Sequence, residues 1–194
     1  MFPFLAIFIV FCIVLTYYIR KGDSSQKKVM DDFWEKERQA NAIRKKDISK
    51  LDYITIPLEK IPQKLCTSVE TSFFALAEKP MLNLTGISNT DLKLEYGTAN
   101  LAILSEYDEN FIDMVALLPA YVSELLEAGQ TETAQMLLEF AVDVKADSRI
   151  LYQQLATLYK DTQLEDKIQN IWKASETLPE LTKKAIQKDL SSMN

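Results

Sequence analysis

The feature that most constrains this chain is an uncharged, apolar run near its N-terminus. From Phe2 to Ile19 the sequence reads FPFLAIFIVFCIVLTYYI, and the basic pair Arg20 and Lys21 follows. At about 1.5 Å rise per residue, this run forms a helix of roughly 27 Å, close to the ~30 Å hydrocarbon core of a bilayer. Because a helix satisfies its own backbone hydrogen bonds, it can cross lipid alone. The run predicts a single transmembrane helix.

Two other interpretations of the run fit less well. A secretory signal peptide has a basic region before its apolar run and a small-residue cleavage site after it. Here no Lys or Arg precedes the run, and the stretch from Leu15 to Ile19 contains no such site. A buried core helix rarely begins at residue 2 and is rarely apolar all round. The sequence therefore favours an uncleaved anchor.

The distribution of basic residues predicts the orientation of this anchor. Only the α-amino group lies on its N-terminal side, whereas Arg20, Lys21, Lys27 and Lys28 follow it. By the positive-inside rule, we expect a single-pass cell-membrane protein with its N-terminus outside and about 170 residues in the cytoplasm.

Charge and composition exclude several classes of function. Residues 20–60 hold 11 basic and 8 acidic residues, and residues 63–194 hold 11 basic and 20 acidic residues. An acidic body argues against nucleic-acid binding, because phosphate recognition needs Lys and Arg. Histidine is absent, which removes the commonest general base and metal ligand.

Motifs for catalysis or cofactor binding are also missing from the sequence. The four glycines stand apart, so there is no phosphate loop, and Cys12 and Cys66 lack metal-binding spacing. Acidic pairs such as Asp31 and Asp32 are usually solvated. We therefore expect no enzymatic activity, no catalytic or metal site and no cofactor. An enzyme with an unrecognised carboxylate site is the weakest alternative.

The chain divides by pattern into three parts. Residues 1–21 are the anchor, residues 22–62 a juxtamembrane helix and an extended linker, and residues 63–194 a helical body. A break at residues 22–25 precedes a helix that ends near Lys46. Residues 51–57 alternate like an extended segment. Helices are expected over residues 67–79, 91–107, 109–128, 131–146, 148–161 and 164–178, with Asp108 capping the third.

The juxtamembrane helix carries the first candidate binding residues: Phe33, Trp34, Arg38 and Arg44. Its aromatic and basic side chains have three possible uses. They pack on the protein's own body, lie on the membrane surface, or dock on another protein.

The second candidate site lies in a region with a 34-residue repeat. A shift of the sequence by one repeat aligns Leu118 with Tyr152 and Gly129 with Gln163. It also aligns the following positions: Tyr121 with Leu155, Val122 with Ala156, Leu125 with Tyr159, Ala134 with Ile168, Leu138 with Trp172 and Ala141 with Ser175. This period and pattern resemble the tetratricopeptide repeat over about residues 115–179. The chain departs from the family at Gln163, Ile168 and Ser175, which replace a glycine and two small residues.

The resemblance implies paired helices that stack and leave a concave, peptide-binding face. By register it places twelve positions on this face: Ala116, Pro119, Ala120, Ser123, Leu126, Glu127, Ile150, Gln153, Gln154, Thr157, Lys160 and Asp161. Six of them are the candidate partner-binding residues: Ser123, Leu126, Gln153, Gln154, Thr157 and Lys160. A plain helical bundle with similar spacing is the alternative for the fold.

The sequence as a whole predicts a mainly α protein, with one N-terminal transmembrane helix followed by an all-α body of tetratricopeptide-like helical hairpins. This layout is similar to that of many bacterial membrane proteins. The expected function is a membrane-anchored scaffold or adaptor that binds another protein or peptide. The alternative is a structural subunit of a membrane complex, although the span has no G-x-x-x-G pattern for intramembrane packing.

Overall fold

A computed structural model describes residues 2–62 and 65–193. This part of the chain is mainly helical, with 74% helix and no strands. The mainly α prediction is therefore confirmed. The helices of the described residues are α1 (Phe2–Ala42), α2 (Ser68–Ala77), α3 (Asn89–Tyr96), α4 (Leu101–Glu127), α5 (Thr131–Asp143), α6 (Arg149–Asp161), α7 (Ile168–Ser175) and α8 (Glu180–Ser192).

Helix α1 is continuous from the apolar run into the juxtamembrane segment. The predicted break at residues 22–25 is wrong, and the physical reason is energetic. A glycine inside a helix costs only about 1 kcal/mol, which good helix-forming segments on both sides can offset. By length and composition α1 is apolar enough to cross a membrane, and none of its most apolar window is buried.

The chain forms two compact units that do not follow the predicted divisions. One unit contains the chain up to Asp47 together with Ser88–Leu101, and the other contains Ile48–Ile87 and the chain from Ala102 onward. Residues 88–101 therefore group with α1, whereas the sequence pattern assigned them to the body.

In the N-terminal unit, α3 packs against the C-terminal part of α1. Ala40 on α1 and Leu92 on α3 are both buried. Lys93 donates to the Glu37 carboxylate at 2.9 Å, and the Thr90 hydroxyl donates to the same carboxylate. These hydrogen bonds, first from Thr90 and then from Lys93, lower the pKa of Glu37.

The predicted helix over residues 91–107 is interrupted at Gly97. This glycine has φ +87°, and a Cβ there would lie 2.3 Å from the carbonyl oxygen of Arg44. Only glycine allows this approach, so α3 ends and the chain restarts as α4 at Leu101. Helix α4 then continues through Asp108, which was expected to be a cap. The Asp108 carboxylate accepts the Leu84 N–H at 3.0 Å instead.

In the C-terminal unit, the helices that follow α4 pack against one another. Helix α5 packs against α6, while α8 packs against both α6 and α7. Residues 51–57 are irregular, and the Ile54 N–H bonds the Met81 carbonyl at 3.0 Å. The core includes the largest buried side chains of this unit: Phe73, Met81, Phe111, Met114, Leu118, Tyr121, Leu125, Leu137, Leu138, Leu151 and Tyr152.

The turn after α4 closes on Gly129 in the left-handed conformation, with φ +73°. The Gln130 N–H donates to the Leu125 carbonyl at 2.8 Å, and the Gly129 N–H donates to the Leu126 carbonyl at 3.0 Å. This is the Schellman pattern that ends many helices.

The turn after α6 has the same hydrogen bonds 34 residues later in the sequence. Gln163 takes φ +61°. The Leu164 N–H donates to the Tyr159 carbonyl at 2.7 Å, and the Gln163 N–H donates to the Lys160 carbonyl at 3.1 Å. Gln163 therefore adopts the left-handed conformation that Gly129 has in the first turn.

Candidate functional site

A groove of about 520 Å³ lies between the C-terminal part of α4 and one face of α6. We call it the α4–α6 groove. It is lined by apolar, hydroxyl and amide side chains and one carboxylate: Leu126, Thr131, Ile150, Gln153, Gln154, Thr157, Leu158, Asp161 and Thr162.

Gln154 joins the two helices of the groove. Its Nε2 donates to the Pro119 carbonyl at 3.1 Å and to the Ser123 hydroxyl at 3.2 Å. The Ser123 hydroxyl donates to the same carbonyl at 2.9 Å. Pro119 lies inside α4, which continues to Glu127. The floor of the groove is therefore a small polar network that holds α6 in register with α4.

The Oε1 atom of Gln154 is buried and has no hydrogen-bond partner among the described residues. A buried amide oxygen without a partner costs about 1–3 kcal/mol.

Helix α8 fixes the outer end of α6. Arg149 binds Asp189 with two hydrogen bonds, at 2.5 and 2.6 Å, and Gln153 donates to the same carboxylate at 2.6 Å. The pKa of Asp189 is lowered, and the hydrogen bonds from Arg149 are the largest cause. Gln153 is held by α8 on one side while it lines the groove.

Glu139 on α5 fixes the opposite face of α6. It accepts hydrogen bonds from Tyr159 at 2.7 Å, Gln135 at 2.9 Å and Lys167 at 3.1 Å. Burial raises the pKa of Glu139, but these three bonds outweigh burial and lower it overall. Burial raises the pKa of the Tyr159 hydroxyl, and the neighbouring Glu139 carboxylate raises it further. Both groups therefore keep one charge state near neutral pH and act as structural partners.

Most of the repeat-derived candidate residues come together at this groove. Leu126, Gln153, Gln154 and Thr157 line it, and Ser123 lies against Gln154. Lys160 is not among the lining residues, whereas the adjacent Asp161, which the register also placed on this face, is. The lining at that end of α6 therefore carries a negative charge.

The candidate residues of the juxtamembrane segment lie on α1 or just beyond it, in the N-terminal unit. Phe33 and Trp34 are 47% and 57% exposed, and their rings meet edge to face at 5.3 Å. Arg38 pairs with Glu35 on the same helix. Arg44 has an exposed side chain, while its carbonyl abuts Gly97. These four residues therefore have different surroundings.

Sequence reasoning missed the contribution of α8 to this site. The prediction ended the last helix before Pro179, but the chain continues as α8 from Glu180. The signal was present in the sequence, because Ile186 and Leu190 are four residues apart and both are buried. Asp189 lies between them in the sequence and reaches Arg149.

Within residues 2–62 and 65–193, no three acidic or cysteine side chains are grouped to hold a metal ion. Hydroxyl and amide groups, apolar side chains and one carboxylate line the groove.

Over the described residues, this is a mainly helical protein with one helix that is apolar enough to cross a membrane. Comparison of the chain with protein-family models, curated proteins and solved structures found no match.

Proposed function

We propose that this protein is a membrane-anchored scaffold or adaptor that binds a segment of another protein in the α4–α6 groove. The observation that carries the proposal is the groove itself. The groove is lined by residues that the 34-residue register selected as a binding face. The register was read from the sequence alone, so the cavity is an independent observation.

The tetratricopeptide-like arrangement of the body rests on helices joined by short turns of one kind. Gly129, Lys145 and Gln163 follow α4, α5 and α6 with the same left-handed geometry and hydrogen bonds. In this proposal α4 with α5 and α6 with α7 form successive hairpins, and α8 covers the open end. Stacked hairpins of this kind share a core and leave one face for a partner.

The chemistry of the groove favours an extended segment with few charges. Ile150 is 55% exposed at the groove, and Leu126 is half-buried there, so apolar contacts are available for a partner's side chains. The exposed Thr157 hydroxyl can donate to or accept from a partner's backbone. Asp161 disfavours a partner with acidic side chains at that end.

A photo-crosslinking amino acid at Thr157 tests the groove in living cells. We expect one discrete adduct whose attached segment can be identified by mass spectrometry. A synthetic peptide of that segment should compete for the adduct. The matched control is the same crosslinker at Lys173, an exposed position on α7 that does not line the groove. Absence of adducts at Thr157, or equal adducts at both positions, would overturn the proposal.

The proposal places the N-terminus outside the cell and the body in the cytoplasm, in accordance with the charges around α1. The natural Cys66 is exposed and serves as a reporter in a variant that lacks Cys12. A membrane-impermeant maleimide should label Cys66 only after the cells are permeabilised. Labelling in intact cells would reverse the proposed orientation.

A further inference from the structure

The α4–α6 groove has an apolar end and an acidic end. Four of its lining residues follow one another along α6 at spacings of three or four residues and so form one stripe of the helix: Ile150, Gln154, Thr157 and Asp161. Ile150 lies near the start of α6 and is 55% exposed, whereas Asp161 is the last residue of the helix. Asp161 is also the single charged residue among the described residues that line the groove.

The Asp161 carboxylate is available to a partner. None of the ion pairs among the described residues includes it, and its side chain is exposed. Lys160 is the basic residue in the last turn of α6, but it does not line the groove. By contrast, Arg149 neutralises Asp189, the acidic residue that fixes the other end of α6.

The surroundings of Asp161 are negative as well. Helix α4 ends at Glu127, and its last turn contains no basic residue. The C-terminal ends of α4 and α6 both border this end of the groove, through Leu126 and Asp161, and a helix C-terminus carries a partial negative charge. Glu127 and Glu132 are exposed next to the lining residues Leu126 and Thr131 in the sequence. This end of the groove therefore attracts a cation and repels an anion.

The length of the stripe determines the spacing that a partner needs. Ile150 and Asp161 are eleven residues apart in the sequence, which corresponds to about 16 Å along α6. An extended chain rises about 3.3 Å per residue, and its side chains on one face are two positions apart. Side chains four or six positions apart in such a segment therefore reach both ends of the stripe, because the long stem of a Lys or Arg accommodates the difference.

We propose that the α4–α6 groove binds an extended, mostly uncharged segment in which one Lys or Arg pairs with Asp161 and an apolar side chain four or six positions away contacts Ile150. This inference rests on the proposed function and names the chemistry of the segment that the groove takes. Between the two contacts, the exposed Thr157 hydroxyl bonds the backbone of the segment. Residues 63–194 hold 11 basic and 20 acidic residues, so the field of the body also favours encounter with a basic segment.

Selection from a synthetic peptide pool by the full-length chain in nonionic detergent micelles tests the proposal. Each peptide has ten residues with blocked ends, Leu at position 3, and Arg, citrulline or Glu at position 7 or 9, while uncharged residues fill the other positions. Citrulline has the shape of arginine without its charge. We expect enrichment of the Arg peptides by about two- to fivefold over the citrulline peptides, as for an exposed ion pair, and depletion of the Glu peptides.

Asp161→Lys reverses the charge at the acidic end and leaves α6 intact. Asp161 is exposed, and a lysine is favourable at a helix C-terminus. This variant should lose the preference for Arg peptides and enrich Glu peptides instead. The matched control is Asp113→Lys, which changes the net charge by the same amount at an exposed position of α4 that does not line the groove. The control should keep the preference for Arg peptides.

Equal enrichment of the three peptide classes by the wild type overturns the inference. An Arg preference that Asp161→Lys retains, or that Asp113→Lys loses, also overturns it. Crosslinking at Thr157 separates this failure from a failure of the proposed function. A chain that gives the discrete Thr157 adduct but prefers no peptide class keeps the proposed function and loses only the chemistry of the segment. A chain that gives neither result loses both.

Discussion

Gln163 is the residue whose replacement gives the clearest quantitative test of the turns in the body. It adopts φ +61° in the turn after α6, whereas the turn after α4 uses Gly129 at φ +73°. Residues with a side chain pay roughly 1–2 kcal/mol for the left-handed conformation. Gln163→Gly removes this strain and leaves the two backbone hydrogen bonds of the turn in place.

The expected gain is smaller than the strain, because glycine also has more freedom in the unfolded chain. That freedom offsets about 0.4–1 kcal/mol. We therefore expect Gln163→Gly to raise the free energy of unfolding by about 0.5–1 kcal/mol. For a chain of this size, this corresponds to an increase of roughly 1–4 °C in Tm.

Gly129→Gln is the reciprocal variant. A Cβ at Gly129 would meet no atom within 4 Å, so the substitution adds conformational strain without a steric clash. It should lower stability by about the amount that Gln163→Gly adds, and the double variant should unfold close to the wild type.

Urea unfolding of the full chain in detergent micelles measures these differences. Trp172 on α7 is 38% exposed and reports on the body, provided that Trp34 is replaced by Phe. The reasoning is refuted if Gln163→Gly lowers the unfolding midpoint. It is also refuted if Gly129→Gln leaves the midpoint unchanged, because the left-handed turn would then not limit stability.

Two further substitutions test other parts of the structure. Gly97→Ala forces a Cβ to within 2.3 Å of the Arg44 carbonyl oxygen, so it should expose the backbone of α3 to hydrogen exchange. Gly86→Ala is the control, because Gly86 has a similar φ of +84° but open surroundings. It should lower the free energy of unfolding by only about 1–2 kcal/mol. Because Arg149 lowers the pKa of Asp189, their contact should stabilise the body at neutral pH and lose that contribution as the pH falls below about 4. Asp189→Asn should therefore destabilise the body at pH 7 and reduce the loss of stability between pH 7 and pH 3. Urea unfolding midpoints at the two pH values measure this change. An unchanged difference between the midpoints would contradict a stabilising role for the Arg149–Asp189 contact.

Local sequence signals predicted the helices of the body more accurately than the units to which they belong. Helix α2 begins at Ser68, and the Thr67 hydroxyl before it accepts the Glu70 N–H at 3.0 Å as a helix cap. The sequence predicted this start within one residue. Asp108 carries an equally good capping side chain, yet α4 passes through it. The Asp108 side chain bonds Leu84, which is 24 residues away, and no local rule contains that partner.

The candidate site shows the same division. Helical spacing and the 34-residue register selected Leu126, Gln153, Gln154 and Thr157, because side-chain direction on a helix follows from position alone. The register placed Lys160 and Asp161 on the same face, but only Asp161 lines the groove. Adjacent residues on a helix point about 100° apart, so small rotations of α6 against its neighbours decide which one lines the groove.

What the sequence determined by itself was the helical class and the apolar run of α1, since both depend on the order of side chains along one helix. Tertiary structure decided which segments pack together. Gly97 lets residues 88–101 join the end of α1, and Asp189 ties α8 to α6. Both depend on contacts between residues 40 or more positions apart, whose energies arise only when the chain has folded.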